Sequence, residues 1–251
     1  MSTNKQNYSF IGIAFILLVF GIIFIPRIID RIKGGDVSRT ESRSKEVSLD
    51  GQSKLSDLMF LEINGEAKKV PPFSFKDQNG AVMSNNDYEG KVYLVEFFFT
   101  TCGSICPRMN RNLVQIQNTF SDFKNFGIAS FTINPDYDTQ EVLKMYADNY
   151  KVTNPNWHFM TGNQEAIYEL ANTGFNIYAG ENPNSDDGFE HSGNFALIDK
   201  NGYIRSRADD FGNPKIFYKG IISEEEKIDD DGETEEISML KQDIAKLLKE
   251  N

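Results

Sequence analysis

The stretch that most limits what this chain can become is residues 92–109, VYLVEFFFTTCGSICPRM. It opens with an apolar, aromatic-rich run from Tyr93 to Phe99, interrupted only by Glu96. Such a run reads as a strand covered on both faces, because a strand with one face in water alternates polar and apolar residues. Thr100 and Thr101 break it, and Cys102 and Cys106 follow. Met109, Leu113, Ile116 and Phe120 then recur at helical spacing. Ser104 is the expected N-cap, and Pro107 falls in the first turn, where its missing N–H costs nothing. The two cysteines of the chain therefore sit where a buried strand feeds a helix N-terminus. The positive end of the helix dipole there favours thiolate, the nucleophilic and metal-binding form.

A chain of 251 residues, 39% of them hydrophobic, can fill one sizeable core and carry appendages. A net charge of −11 argues against nucleic acid or an anionic lipid surface as partner. One close cysteine pair does not make a disulfide scaffold. It leaves inert buried thiols, a local staple, a redox pair or two metal ligands.

Residues 10–25, FIGIAFILLVFGIIFI, contain no charge. After a short tail at 1–9, residues 10–29 read as an N-terminal transmembrane helix. The following IPRIIDRIKGG lacks the small residues of a signal-peptide cleavage site, so an uncleaved anchor is expected. Residues 30–55, rich in Ser, Gly and charged side chains, read as a flexible linker. Lys5 precedes the apolar stretch, whereas Arg27, Arg31 and Lys33 follow it. Charge bias taken alone places the following residues in the cytoplasm, although long domains translocate largely regardless of it.

Residues 56–251 read as the globular part. A hairpin is expected around Asp77-Gln78-Asn79-Gly80 and a strand over 127–133. Asp138 is the expected cap of a helix reaching Tyr150, with Val142, Met145 and Tyr146 inward. A short strand follows over 157–160. A helix over 163–173 turns Ile167, Leu170 and Ala171 inward and stops at Gly174. Strands over 195–198 and 203–205 flank Asp199-Lys200-Asn201-Gly202, a hairpin signal. The acidic stretch 224–236, EEEKIDDDGETEE, reads as a solvated loop. A closing helix over 237–250 carries Ile237, Leu240, Ile244, Leu247 and Leu248 on one face. This order of elements is α/β, a thioredoxin-like mixed sheet flanked by helices.

The cysteine spacing, C-x-x-x-C, is one residue longer than the C-x-x-C of ordinary thiol-disulfide enzymes. Two thiolates alone leave Cu(I) or Zn incompletely bound, so a third ligand is sought. Of the two histidines, His158 lies in the short strand beside Trp157 and reads as a packing residue. His191 lies in Gly188-Phe189-Glu190-His191-Ser192-Gly193-Asn194, a loop that faces the cysteine turn in a thioredoxin plan. Thioredoxin-type enzymes carry a cis-proline there. Here Ser192-Gly193-Asn194 hold the place, and no proline occurs between Pro183 and Pro214, which counts against plain disulfide exchange. Two soft thiolates and an imidazole suit Cu(I) in a trigonal site. Met109 reads as core.

These residues resemble the Sco/SenC proteins, membrane-anchored, thioredoxin-like copper chaperones of cytochrome c oxidase assembly. The resemblance spans roughly residues 71–205 and the N-terminal anchor. FFFTTCGSICPRM, NPDYDTQEVLKMYADNY, Met160-Thr161-Gly162 and HSGNFALIDKNG carry it. It implies that Cys102 and Cys106 are copper thiolates and His191 the copper imidazole, with Asp138 as the second acid of a D-P-x-x-D loop. Gly103-Ser104 stand where the family has Pro-Asp, and Asn134 stands for the first loop acid. Both departures remove acidic groups from near the site.

The function so implied is that of a metallochaperone and not of an ordinary enzyme. It would take Cu(I) or Cu(II) from a copper donor protein. Its acceptor would be the dinuclear copper site of the oxidase's copper-binding subunit. The implied location is a bacterial-type inner membrane, single-pass, with the globular domain on the outer, periplasmic face. The rival reading is a thiol-disulfide reductase that keeps a partner's copper-ligating cysteines reduced through the redox-active pair Cys102 and Cys106. His191 separates the two, since disulfide exchange has no need of it. A peroxiredoxin-like or redox-signalling role is a third reading.

Overall fold

Every residue of Val92–Phe98 is buried, so the run that reads as a two-faced strand is one. It lies inside a mixed sheet seen in the computed structural model, which describes Phe20 and residues 58–63, 65–185, 188–209 and 212–250. In chain order the strands are β1 (Met59–Phe60), β2 (Glu62–Ile63), β3 (Glu66–Ala67), β4 (Ser74–Asp77), β5 (Val82–Ser84), β6 (Val92–Phe98) and β7 (Phe126–Thr132). There follow β8 (Trp157–Thr161), β9 (Ala179–Glu181), β10 (Phe189–His191), β11 (Asn194–Ile198), β12 (Ile204–Ser206) and β13 (Tyr218–Lys219). The helices are α1 (Cys106–Thr119), α2 (Gln140–Asn149), α3 (Gln164–Glu169) and α4 (Ile237–Lys249).

Among the described residues the main sheet has the order β1-β12-β11-β6-β7-β8-β4-β5, with β13 added to β11. β6, β7 and β8 run parallel, joined through α1 and α2, because parallel neighbours need a crossover. β11 runs antiparallel to β6 in the register Ala196↔Val95. β9 and β10 form a separate two-stranded ribbon in which His191 pairs Ala179. Two residues after that ribbon the chain enters β11, so the topology delivers His191 beside the strand that ends at the cysteines. This is the thioredoxin-like α/β plan that the order of elements predicts.

The apolar anchor expected over 10–29 and the linker over 30–55 lie outside the described residues, Phe20 excepted. Among the described residues no helix is long and apolar enough to cross a membrane.

Local details differ from the sequence reading for identifiable reasons. α1 starts at Cys106 with Ile105 as N-cap, and Ser104 does not cap it. The Cys106 N–H instead points at Cys102 Sγ, 3.4 Å away, so a sulfur takes the place of the capping oxygen. Thr139, not Asp138, caps α2, its Oγ1 accepting from the Val142 N–H. The inward face of α2 is Leu143 and Ala147, while Met145 is exposed. Apolar positions cover so wide an arc of this helix that periodicity does not find its centre. α3 is capped by Asn163 and runs past Gly174 as a π turn, Leu170–Phe175, ending at Asn176 with φ of 56°. Gly174 does not stop it; a Cβ there would meet Pro71 Cγ at 3.0 Å, so close packing accounts for the glycine.

The acidic stretch is largely solvated, as its composition predicts, and is also tethered by ion pairs. Glu226 pairs with Arg108 at 3.1 Å, Glu233 with Lys219 at 2.7 Å, Glu236 with Lys215 at 2.5 Å, and Glu224 with Lys241. α4 buries Ile237, Leu240, Ile244, Leu247 and Leu248, as its pattern predicts. Met109 is fully buried in the core.

Candidate metal centre

The site is assembled where β6 and β7 end. Beyond β6, the Thr100 N–H donates to Asp138 Oδ2 at 3.1 Å, and the hydroxyls of Thr100 and Thr132 also donate to this carboxylate. Asp138 is completely buried. Burial pushes its carboxyl up, and the hydrogen bonds from Thr100 and Thr132 partly offset this. The turn before Cys102 is thus pinned to the loop after β7. That explains why Asp138 is drawn away from the helix it was expected to cap.

Cys102, Cys106 and His191 are brought together here. One ligating atom of each lies within 4.8 Å of the others. Cys106 Sγ is 3.1 Å from His191 Nε2. A metal held by sulfur and nitrogen at about 2.0–2.3 Å keeps such ligands roughly 3.5–4 Å apart, so the cluster fits an ion with small adjustments. The three residues are buried, at 6%, 0% and 8% exposure. Water competes poorly for such a site.

The two thiols are unequal. The Cys106 side chain, then the His191 ring and the backbone N–H groups of Cys106 and Ser104, hold Cys102 well below the usual thiol range despite burial. Burial, and then the neighbouring Cys102 sulfur, push Cys106 up. Of the two, Cys102 is thus the more acidic thiol. A bound cation supplies the charge that lets the second proton leave.

His191 meets Phe99 edge-on, with ring centroids 5.7 Å apart. Its Nδ1 is buried without a hydrogen-bond partner. His158, expected to be a packing residue, lies outside the cluster. It packs edge-on against Tyr88 at 6.1 Å, and its Nδ1 is 2.9 Å from Asp77 Oδ2. Of the departures near the cysteines, Gly103 is exposed and the Ser104 hydroxyl is 3.7 Å from Cys102 Sγ.

The sequence pattern marks Glu96 only as an interruption of the apolar run and assigns it no role. Glu96, in the middle of β6, is completely buried. Its Oε1 accepts from the Ser130 hydroxyl at 2.6 Å, which in turn accepts from Trp157 Nε1 at 3.0 Å. Its Oε2 has no partner. Burial pushes this carboxyl up to about 7, against the opposing Ser130 hydrogen bond. The signal was the lone charge in an otherwise apolar run.

Fold and site together define a class: a thioredoxin-like domain whose cysteine turn is completed by an imidazole into a potential metal site. The SCO1/SenC family matches residues 62–224, and the chain belongs to that family. A SCO1 protein homolog of Bacillus subtilis is 32% identical over 158 residues, which cover 62% of this chain and 80% of that one. A Stutzerimonas stutzeri relative, described as copper-binding, is 26% identical over 144 residues, covering 55% and 68%. The solved structure of BsSco is described as that of a Sco-family cytochrome c oxidase assembly protein with a disulfide switch. It matches with a TM-score of 0.59 at 25% identity, covering 79% of this chain and 100% of that one.

Proposed function

We propose that this protein is a membrane-anchored copper chaperone. It binds copper on Cys102, Cys106 and His191 and passes it to the dinuclear copper site of cytochrome c oxidase during assembly. The observation that carries the reading is the buried cluster of two sulfurs and one imidazole nitrogen, a donor set that suits a soft ion such as Cu(I). Family membership and the copper-binding description of one relative support it. In this reading Cys102 offers a ready thiolate, Cys106 gives up its proton as the ion arrives, and His191 closes the site. The apolar stretch 10–29 anchors the chain, with the globular domain on the outer, periplasmic face of the inner membrane. A copper donor protein loads it there.

A thiol-disulfide reductase is the second reading, favoured by the stabilised Cys102 thiolate beside the Cys106 thiol. Cys102 would attack a partner disulfide and release one partner thiolate. Cys106, its proton passing to that thiolate, would then displace the other partner sulfur. The partner ends reduced by two electrons, and a Cys102–Cys106 disulfide remains.

Metal analysis of the reduced full-length protein separates the two. Stoichiometric copper in the wild type, lost in His191→Ala, is the expected result. In cells lacking the protein, oxidase activity should fall, and added copper should restore part of it. If His191→Ala binds copper normally and supports full oxidase assembly, or if reductant rescues where copper does not, the reductase reading replaces the chaperone.

A further inference from the structure

The imidazole of His191 has no hydrogen bond at Nδ1 to hold it, whereas metal-ligating histidines ordinarily donate that proton to a fixed partner. Besides the Cys106 sulfur and the Phe99 ring, what fixes its position is the backbone that carries it. One buried tie from that backbone to the cysteine helix runs through Gly220. The Gly220 N–H donates to the Gly193 carbonyl at 2.7 Å, two residues beyond His191. The Gly220 carbonyl accepts from Asn112 Nδ2 at 2.8 Å, and Asn112 lies on α1, six residues beyond Cys106.

The contacts close a ring: Cys106 along α1 to Asn112, across Gly220 to Gly193, and back through His191 to Cys106 Sγ. Asn112 is 1% exposed, and its Oδ1 has no partner. A buried amide that makes a single hydrogen bond costs desolvation that a leucine would not. Both glycines mark close approach. A Cβ on Gly220 would lie 2.6 Å from the buried Phe195 ring, and one on Gly193 would lie 2.1 Å from Ile221 Cδ1. Pairing of β13 with β11, Asn194↔Lys219 and Phe195↔Tyr218, holds the same segment in register beside the histidine loop. The exposed Arg108–Glu226 contact between α1 and this segment is a surface pair that adds little.

We propose that Asn112 is a positioning residue: through Gly220 it sets the separation between the cysteine sulfurs and the His191 ring. The copper half of its test rests on the function proposed above. The other half needs no metal. Asn112→Leu removes the donor and puts an apolar side chain of the same branching in its place, and Asn112→Asp keeps the size but sets a carboxylate against the Gly220 carbonyl.

The first readout is the nitrogen chemical shifts of the two histidine rings in the reduced, metal-free full-length protein. The second is Cu(I) affinity by competition with a chromogenic chelator. In both variants the His191 ring signals should move while those of His158 stay. Cu(I) affinity should fall about 10- to 100-fold, the usual effect of losing an outer-shell partner, and Asn112→Leu should still melt cooperatively. Unchanged His191 signals and unchanged affinity overturn the proposal. So does a general loss of stability that moves both histidines alike. If the wild type binds no copper, the copper reading fails, and the His191 shifts still decide the role of Asn112.

Discussion

Cys106 Sγ and His191 Nε2 lie 3.1 Å apart across 85 residues of chain, and both side chains are buried. The contact joins a helix N-terminus to the end of a ribbon that does not belong to the main sheet. The cluster takes its ligands from two distant parts of the sequence, so single substitutions dissect it.

Replacing Cys102, Cys106 or His191 by Ala should each reduce copper retention, measured as the copper-to-protein ratio after desalting against a competing thiol. The cysteine variants should lose most of the metal, since each removes a soft anionic ligand. His158→Ala should stay near wild type, because that ring is engaged with Asp77 and Tyr88.

Cys102 and Cys106 should form a reversible disulfide, and the oxidised protein should bind no Cu(I), since a disulfide offers no thiolate. In the reduced protein Cys102, held below the usual thiol range, should be alkylated at pH values where an ordinary thiol with pKa of about 8.5 is protonated. Mass-mapped alkylation between pH 5 and 8 tests this. Equal labelling of the two cysteines would contradict the assignment of the thiolate to Cys102.

Glu96→Gln should make stability less dependent on pH. The carboxyl titrates at about 7 in the folded protein and at about 4.3 in the unfolded chain. Between these values the native state binds the extra proton, so this group's contribution falls as pH rises from about 4.3 to 7 and is level above. At pH 8 the variant should therefore gain on the order of 3 kcal/mol over its advantage at pH 4. Denaturant midpoints at the two pH values measure it, and an equal difference at both would refute it.

A reporter fused after Asn251 should be active outside the cytoplasm. The charge bias of Arg27, Arg31 and Lys33 predicts the reverse, so a reporter active only in the cytoplasm would reject the proposed orientation.

Much of the fold was legible because it follows from pattern. The unbroken apolar run of β6, the Asn201-Gly202 turn and the amphipathic face of α4 each report a local choice that the tertiary structure agrees with. What was not legible depends on distant partners. Asp138 and Thr139 are both good caps, and hydrogen bonds from Thr100 and Thr132 decide between them. Ser104 would cap α1 were Cys102 Sγ not already facing the Cys106 N–H. The cysteine half of the site was readable from position alone. His191 needed the thioredoxin-like plan to bring its loop across, and the Asn112–Gly220 tie, with nothing local to mark it, was invisible.

The place of β6 between β7 and β11 also has a cost during synthesis. β11 leaves the ribosome about 100 residues after β6, roughly 5–20 s later at ordinary elongation rates. Until then one edge of a seven-residue, aromatic-rich strand has no neighbour, which is the condition under which chains recruit one another into intermolecular sheet. Glu96 is the one charge in that run. A carboxylate in such a run, ionised while water surrounds it, opposes self-association. The carboxyl that burdens the finished fold protects the unfinished one.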